Sequence, residues 1–194
     1  MCDQRRNDFP QRQSVRLKRY DYSSSGGYFV TICADGKRCL FGSVVNERMV
    51  LNEWGAVADR QWQDLPAHHP NVELDYYVVM PNHVHGILLI HGQQPGTAGR
   101  APTFPRTFGQ AIAGSLATVV GSYKSGVTRR VNALRTSPDA SLWQRNYHEH
   151  VIRDEEELAA IRQYIVDNPL KWSVDRENPA ATEPESSPPW EKEP

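Results

Sequence analysis

Cysteine is scarce: only Cys2, Cys33 and Cys39 occur, forming neither an even disulfide set nor a Cys-x-x-Cys pair. That argues against a disulfide-stapled scaffold and for a reduced, cytoplasmic setting. Long apolar runs are missing too. No stretch approaches the roughly 20 residues that cross a bilayer, so no membrane partner is expected. The polar, basic amino terminus has no apolar stretch behind it, unlike a secretory signal. No internal repeat is visible. A large charge of one sign is also absent, the formal net charge being -1.

That small net charge hides an uneven distribution. Residues 173–194 carry six acids and two bases, which leaves the preceding chain at about +3. Within the first twenty residues Arg5, Arg6, Arg12, Arg16, Lys18 and Arg19 outnumber Asp3 and Asp8, a local surplus suited to a polyanion or to a solvated arm. At 194 residues the chain fits one compact domain, able to bury roughly two-thirds of its unfolded surface. Three regions are expected: a basic arm over 1–27, a folded domain over 28–172, and an acidic, unordered tail over 173–194, where Glu, Ser and Pro leave too little to bury.

Tyr28–Ala34 reads as a strand ending in Asp35-Gly36, a hairpin-turn dipeptide, with a partner strand over Arg38–Val45. Trp54, Val57, Ala58, Gln61, Trp62 and Leu65 recur at spacings of three and four, predicting a helix over 53–64 capped by Asn52. Val72–Met80 and His83–Ile90 read as adjacent antiparallel strands broken by Pro81-Asn82. Residues 91–107 are rich in glycine and proline and read as a loop. A helical stripe follows over about Phe108–Lys124, with Lys124, Arg129, Arg130 and Arg135 clustered beyond its end as candidate phosphate contacts. Trp143–Ile152 is extended or irregular. The acidic run Asp154–Glu157 then opens a helix reaching Asn168, where Pro169 stops it.

Two motifs carry chemistry. His83 and His85 share one face of a strand, because side chains alternate, so both imidazoles can converge on one cation. Tyr164 and Asn168, four apart, share one face of a helix. A divalent cation such as Mg2+ or Mn2+ on neutral imidazoles can offset charge developing on a phosphodiester, with the Asn168 amide oxygen as a third ligand. A tyrosine beside it can then attack phosphorus, provided the phenolate is favoured. Each element also has a plainer role: a packed histidine pair, a packing tyrosine, an asparagine helix stop. A rival set, Tyr147, His148 and His150, repeats the i, i+2 spacing. It sits among charged neighbours rather than in a continuous apolar strand, so Tyr147 and His150 fit better as support for the site or as part of a substrate groove.

The stretches Met80-Pro81-Asn82-His83-Val84-His85-Gly86-Ile87, Trp143-Gln144-Arg145-Asn146-Tyr147 and Ile161-Arg162-Gln163-Tyr164-Ile165-Val166-Asp167-Asn168-Pro169 resemble the REP-associated tyrosine transposases of the HUH single-tyrosine group. The likeness runs from about Arg16 to Trp172 and takes in Arg19-Tyr20-Asp21-Tyr22. It implies an α+β fold: a ferredoxin-like antiparallel sheet with helices packed on it and the catalytic tyrosine on a late helix. It also implies cleavage and rejoining of single-stranded DNA at palindromic repeat hairpins through a phosphotyrosine, with a divalent metal and no nucleotide cofactor. By the same resemblance His83, His85 and Asn168 hold the metal and Tyr164 is the nucleophile. Asn168 stands where related insertion-sequence transposases have the longer glutamine. Arg16, Lys18, Arg19, Lys124, Arg129 and Arg130 are expected to grip phosphates of this DNA, with Tyr20 and Tyr22 stacking on unpaired bases. Monomer and homodimer both stay open. The alternatives are a non-catalytic hairpin-DNA-binding protein and a hydrolase in which water attacks.

Overall fold

The alternating strand that begins at Gly26 forms the middle of a four-stranded antiparallel sheet. The computed structural model describes residues 25–92, 114–135 and 141–191. In chain order the elements are β1 (Gly26–Cys33), β2 (Gly42–Val45), β3 (Arg48–Leu51), α1 (Glu53–Gln63), α2 (Leu65–His68), β4 (Val72–Val79), β5 (His83–Ile90), α3 (Leu116–Leu134), β6 (His148–Ile152) and α4 (Glu155–Asp167). The sheet order is β4-β5-β1-β6. The fold is therefore α+β, as expected, with helices on the sheet.

Alternation along β1 and β5 divides the core in two. Tyr28, Val30, Ile32, Val84 and Leu88 face α1 and α3, meeting Trp62, Val119, Tyr123 and Val127. Phe29 and Ile87 face the other way, onto Ile161 and Ile165 of α4. Trp62 lies directly over Gly86, the strand residue between these layers: a Cβ there would overlap the indole Cζ2 and come within 2.8 and 2.9 Å of Cη2 and Cε2. Glycine is required at that point because the ring presses on the backbone.

Three expectations change. The strand after Asp35-Gly36 does not pair with β1. Asp35–Lys37 instead forms a short 3-10 turn with Gly36 and Lys37 at φ 62° and 54°, and β2 pairs with β3 in a separate hairpin turned by Asn46 and Glu47 at φ 50° and 62°. Both edges of β1 are taken by sequence-distant β5 and β6, a competition that a local turn signal does not report. Secondly, α3 runs on to Leu134, because Tyr123, Val127 and Val131 continue the buried stripe past Lys124; Arg129 and Arg130 thus lie within the helix. Residues 108–113, part of the expected helix, lie outside the described residues, as do most of the 91–107 loop and residues 1–24 with Arg16, Lys18, Arg19, Tyr20 and Tyr22.

Thirdly, the segment expected to be an unordered tail packs back on the domain as far as Trp190. Asp175 is buried, Asn82 Nδ2 donates to the Glu177 carbonyl at 2.6 Å, Glu185 N donates to the Val174 carbonyl at 2.7 Å, and the Trp190 ring meets Tyr164. Composition predicts disorder when a segment has little to bury. Here buried polar groups of the domain supply the partners instead.

Candidate metal centre and nucleophile

On the α4 face of the sheet, β5 presents His83 and His85, set by register beside Cys33 and Thr31 of β1. Their exposures are 0% and 1%, and their ring centroids are 4.3 Å apart. Each ring is oriented from behind. His83 Nδ1 lies 2.8 Å from Asn82 Oδ1. The Asn82 amide nitrogen is committed to the carbonyls of Lys37 and Glu177, so its oxygen accepts and His83 Nδ1 donates. His85 Nδ1 lies 2.9 Å from Thr31 Oγ1. Both Nε2 atoms are buried without a hydrogen-bond partner among the described residues. Such atoms are costly to leave bare, and a neutral imidazole with its other nitrogen engaged is a metal ligand in waiting. Burial pushes the pKa of both rings below the ordinary imidazole value. For His83 the carboxylates of Asp175 and Glu177 act in opposition, and for His85 neighbouring His83 adds to the depression.

Asn168 caps the end of α4 and keeps helical dihedrals, φ -58° and ψ -42°, despite Pro169 behind it. That places its side chain one turn beyond Tyr164, as the i, i+4 spacing requires. It is 2% exposed. Its Nδ2 donates to Asp175 Oδ2 at 3.0 Å, while its Oδ1 is buried without a partner among the described residues. Asp175 in turn accepts the Glu177 amide at 2.6 Å through Oδ1. One ligating atom each from His83, His85 and Asp175 lie within 4.8 Å of one another. The donor set, two imidazole nitrogens beside a carboxylate and an amide oxygen, could hold a divalent cation.

Asp175 is the site residue that sequence reasoning missed. It sits in the segment assigned to the tail, held by a 3-10 turn over Trp172–Val174, and nothing in its local pattern distinguishes it from other acids.

Tyr164, half-buried on α4, packs edge-on against His85 with ring centroids 5.3 Å apart, against Phe29 at 6.1 Å and against Trp190 at 5.6 Å. Its helix is fixed at three points. Asp154 accepts the Glu157 amide at 2.8 Å at the N-cap. Ile161 and Ile165 bury against Phe29 and Ile87. Arg162 clamps both Asp75 oxygens on β4: its Nε donates to Oδ1 at 3.2 Å and to Oδ2 at 3.0 Å, and its Nη2 to Oδ2 at 2.6 Å. The sequence motifs thus converge: the sheet-borne imidazoles, Tyr164 and Asn168 form one cluster.

The rival histidines share this sheet face, paired in register with Thr31 and Phe29 of β1. His150 Nε2 lies 2.9 Å from Glu157 Oε1, joining β6 to the first turn of α4. Cys33 is no competing nucleophile: burial first, and then the neighbouring Glu177, push its thiol up to about 12, where it donates to that carboxylate.

The expected basic cluster is dispersed. The Lys124 ammonium is half-buried and donates to the carbonyls of Gln144 at 2.6 Å and Arg145 at 3.1 Å. Arg130 donates to Gln61. Arg129 is exposed, on a helix that packs against the sheet face opposite the histidines.

The four-stranded antiparallel sheet with helices packed on both faces is a fold shared with a solved transposase. A solved REP-associated tyrosine transposase bound to a REP hairpin is 18% identical and aligns over 80% of this chain and 73% of its own, with a TM-score of 0.54. No family model matches. An uncharacterized protein of Haemophilus influenzae is 40% identical over 170 residues, 85% of this chain and 92% of that protein, and the chain belongs to its family. Among the described residues no helix is long and apolar enough to cross a membrane.

Proposed function

We propose that this chain is a metal-dependent tyrosine transposase that cleaves and rejoins single-stranded DNA at palindromic repeat hairpins. The observation that carries this reading is one buried cluster: ligating atoms of His83, His85 and Asp175 lie within 4.8 Å of one another, Asn168 is hydrogen-bonded to that Asp175, and the His85 ring is packed against Tyr164. The hairpin-bound neighbour of the same fold supports the choice of substrate.

His83, His85, Asn168 and Asp175 would hold the cation. When bound it would polarise a non-bridging phosphate oxygen and offset developing charge. The Tyr164 phenol oxygen attacks phosphorus, forming a P–Oη bond while a bridging P–O bond breaks. The phenol proton passes to solvent and the departing oxygen ends as a hydroxyl. One phosphodiester is exchanged for another, so no nucleotide cofactor or oxidant is consumed, and the phosphotyrosine keeps the bond available for rejoining. Thr31 and Asn82 orient the imidazoles, and the Arg162–Asp75 clamp holds the nucleophile's helix against the sheet.

A labelled repeat hairpin with unpaired flanks, incubated with Mn2+ or Mg2+ and run on a denaturing gel, should yield a covalent protein–DNA adduct. Chelation should abolish it, and so should Tyr164→Phe. An adduct that survives Tyr164→Phe removes Tyr164 as the nucleophile. Cleaved strand with no adduct identifies a hydrolase, and retarded but uncut hairpin identifies a non-catalytic binding protein.

A further inference from the structure

Next to the candidate metal centre lies a cavity of about 300 Å³ lined in part by Thr31, Lys37, Gln144, Asn146, His148 and Arg176. We infer that it receives one unpaired nucleotide of the DNA strand, next to the phosphodiester that Tyr164 attacks; this rests on the strand-transfer reading of the adjoining centre. The position follows from Thr31, whose hydroxyl lies 2.9 Å from His85 Nδ1 and which also lines the cavity. A strand with its phosphate at the metal centre has a neighbouring nucleotide within reach of this opening.

The lining chemistry selects a nucleotide. Gln144 and Asn146 are the two amide side chains of the lining, and an amide offers a donor and an acceptor side by side, as a base edge requires. Lys37 and Arg176 supply two cations, against one lining carboxylate, Glu177, that lies 3.2 Å from the Lys37 ammonium and 3.7 Å from Arg176 Nε. The surplus is positive, which suits a phosphate.

The walls are pre-set rather than loose. Gln144 N donates to the Cys33 carbonyl at 2.9 Å, Trp143 bridges to Ala34, and the Trp143 indole donates to the Lys124 carbonyl at 3.2 Å. The Lys124 ammonium, expected to grip DNA, instead holds the carbonyls of Gln144 and Arg145. Opposite, Lys37 stands at φ 54°, its carbonyl held by the same Asn82 amide that binds the Glu177 carbonyl. A buried asparagine thus joins the His83 ligand to the cationic wall, and ordering costs at the pocket are low.

The test combines two readouts. In the first, adduct yield is measured on hairpins in which each unpaired flanking nucleotide in turn is made abasic. In wild type one such position should lower the yield about tenfold, the size of one lost base contact, and Gln144→Ala/Asn146→Ala should erase that positional difference. A double variant that keeps the wild-type preference overturns the pocket. The second readout needs no strand transfer: the side-chain amide 15N–1H signals of Gln144 and Asn146 should shift on titration with the unpaired flank as a short oligonucleotide. Unmoved signals overturn the pocket even where adducts form. Shifted signals without any adduct support the pocket and refute strand transfer.

Discussion

Asp175→Asn removes one charge and almost no volume, so it isolates what that carboxylate does. In the native site Asp175 Oδ2 accepts from Asn168 Nδ2 at 3.0 Å, which leaves Asn168 Oδ1 for the neighbouring His83; Asp175 Oδ1 is meanwhile occupied by the Glu177 amide at 2.6 Å. An asparagine at 175 keeps the Glu177 contact but sets its own NH2 against that of Asn168. The Asn168 amide then flips, and its oxygen leaves the centre. The variant loses a carboxylate ligand and misdirects an amide ligand at once. Loss of one supporting partner costs 10- to 100-fold in metal affinity, so about 30- to 100-fold is expected here, or roughly 2 to 3 kcal/mol. Calorimetric titration with Mn2+ reads this directly, and urea unfolding confirms that the fold persists. The exchange Asn168→Asp/Asp175→Asn restores a donor facing a carboxylate and should recover affinity to within about fivefold, as expected for a coupled pair. Mn2+ binding by Asp175→Asn within about twofold of wild type, below the smallest loss such partners cause, would refute the argument.

Two further outcomes follow from burial. Both imidazoles titrate below their ordinary value of 6.5 in the folded chain, so between 6.5 and those lowered values the unfolded chain binds more protons. Stability of the metal-free protein is then level above pH 6.5 and falls as pH drops through that window. Urea midpoints across pH measure it, and a slope unchanged in His83→Gln/His85→Gln would assign the effect elsewhere. Gly86→Ala drives a methyl into the fully enclosed Trp62 ring and should cost about 3 kcal/mol, the upper end for overpacking. Trp62→Leu removes the ring, so the double variant should be less unstable than the two single costs added, by more than about 1 kcal/mol. Additive costs in urea unfolding would show that the ring yields.

The sequence by itself determined the local elements and the pairing of motifs. Alternation placed His83 and His85 on one strand face, and helical spacing placed Tyr164 and Asn168 on one helix face, because both periods are set by backbone geometry within a few residues. Asn52 and Asp154 cap their helices as their side chains dictate. Tertiary structure decided what depends on distant partners. The edges of β1 went to β5 and β6 rather than to the nearby Arg38–Val45 stretch. Lys124 became a brace for the Gln144 carbonyl instead of a free cation. Above all, Asp175 became part of the centre: its place is set by Asn168, Asn82 and the Glu177 backbone, groups whose joint position exists only once sheet and helix have packed, so no local pattern announces it.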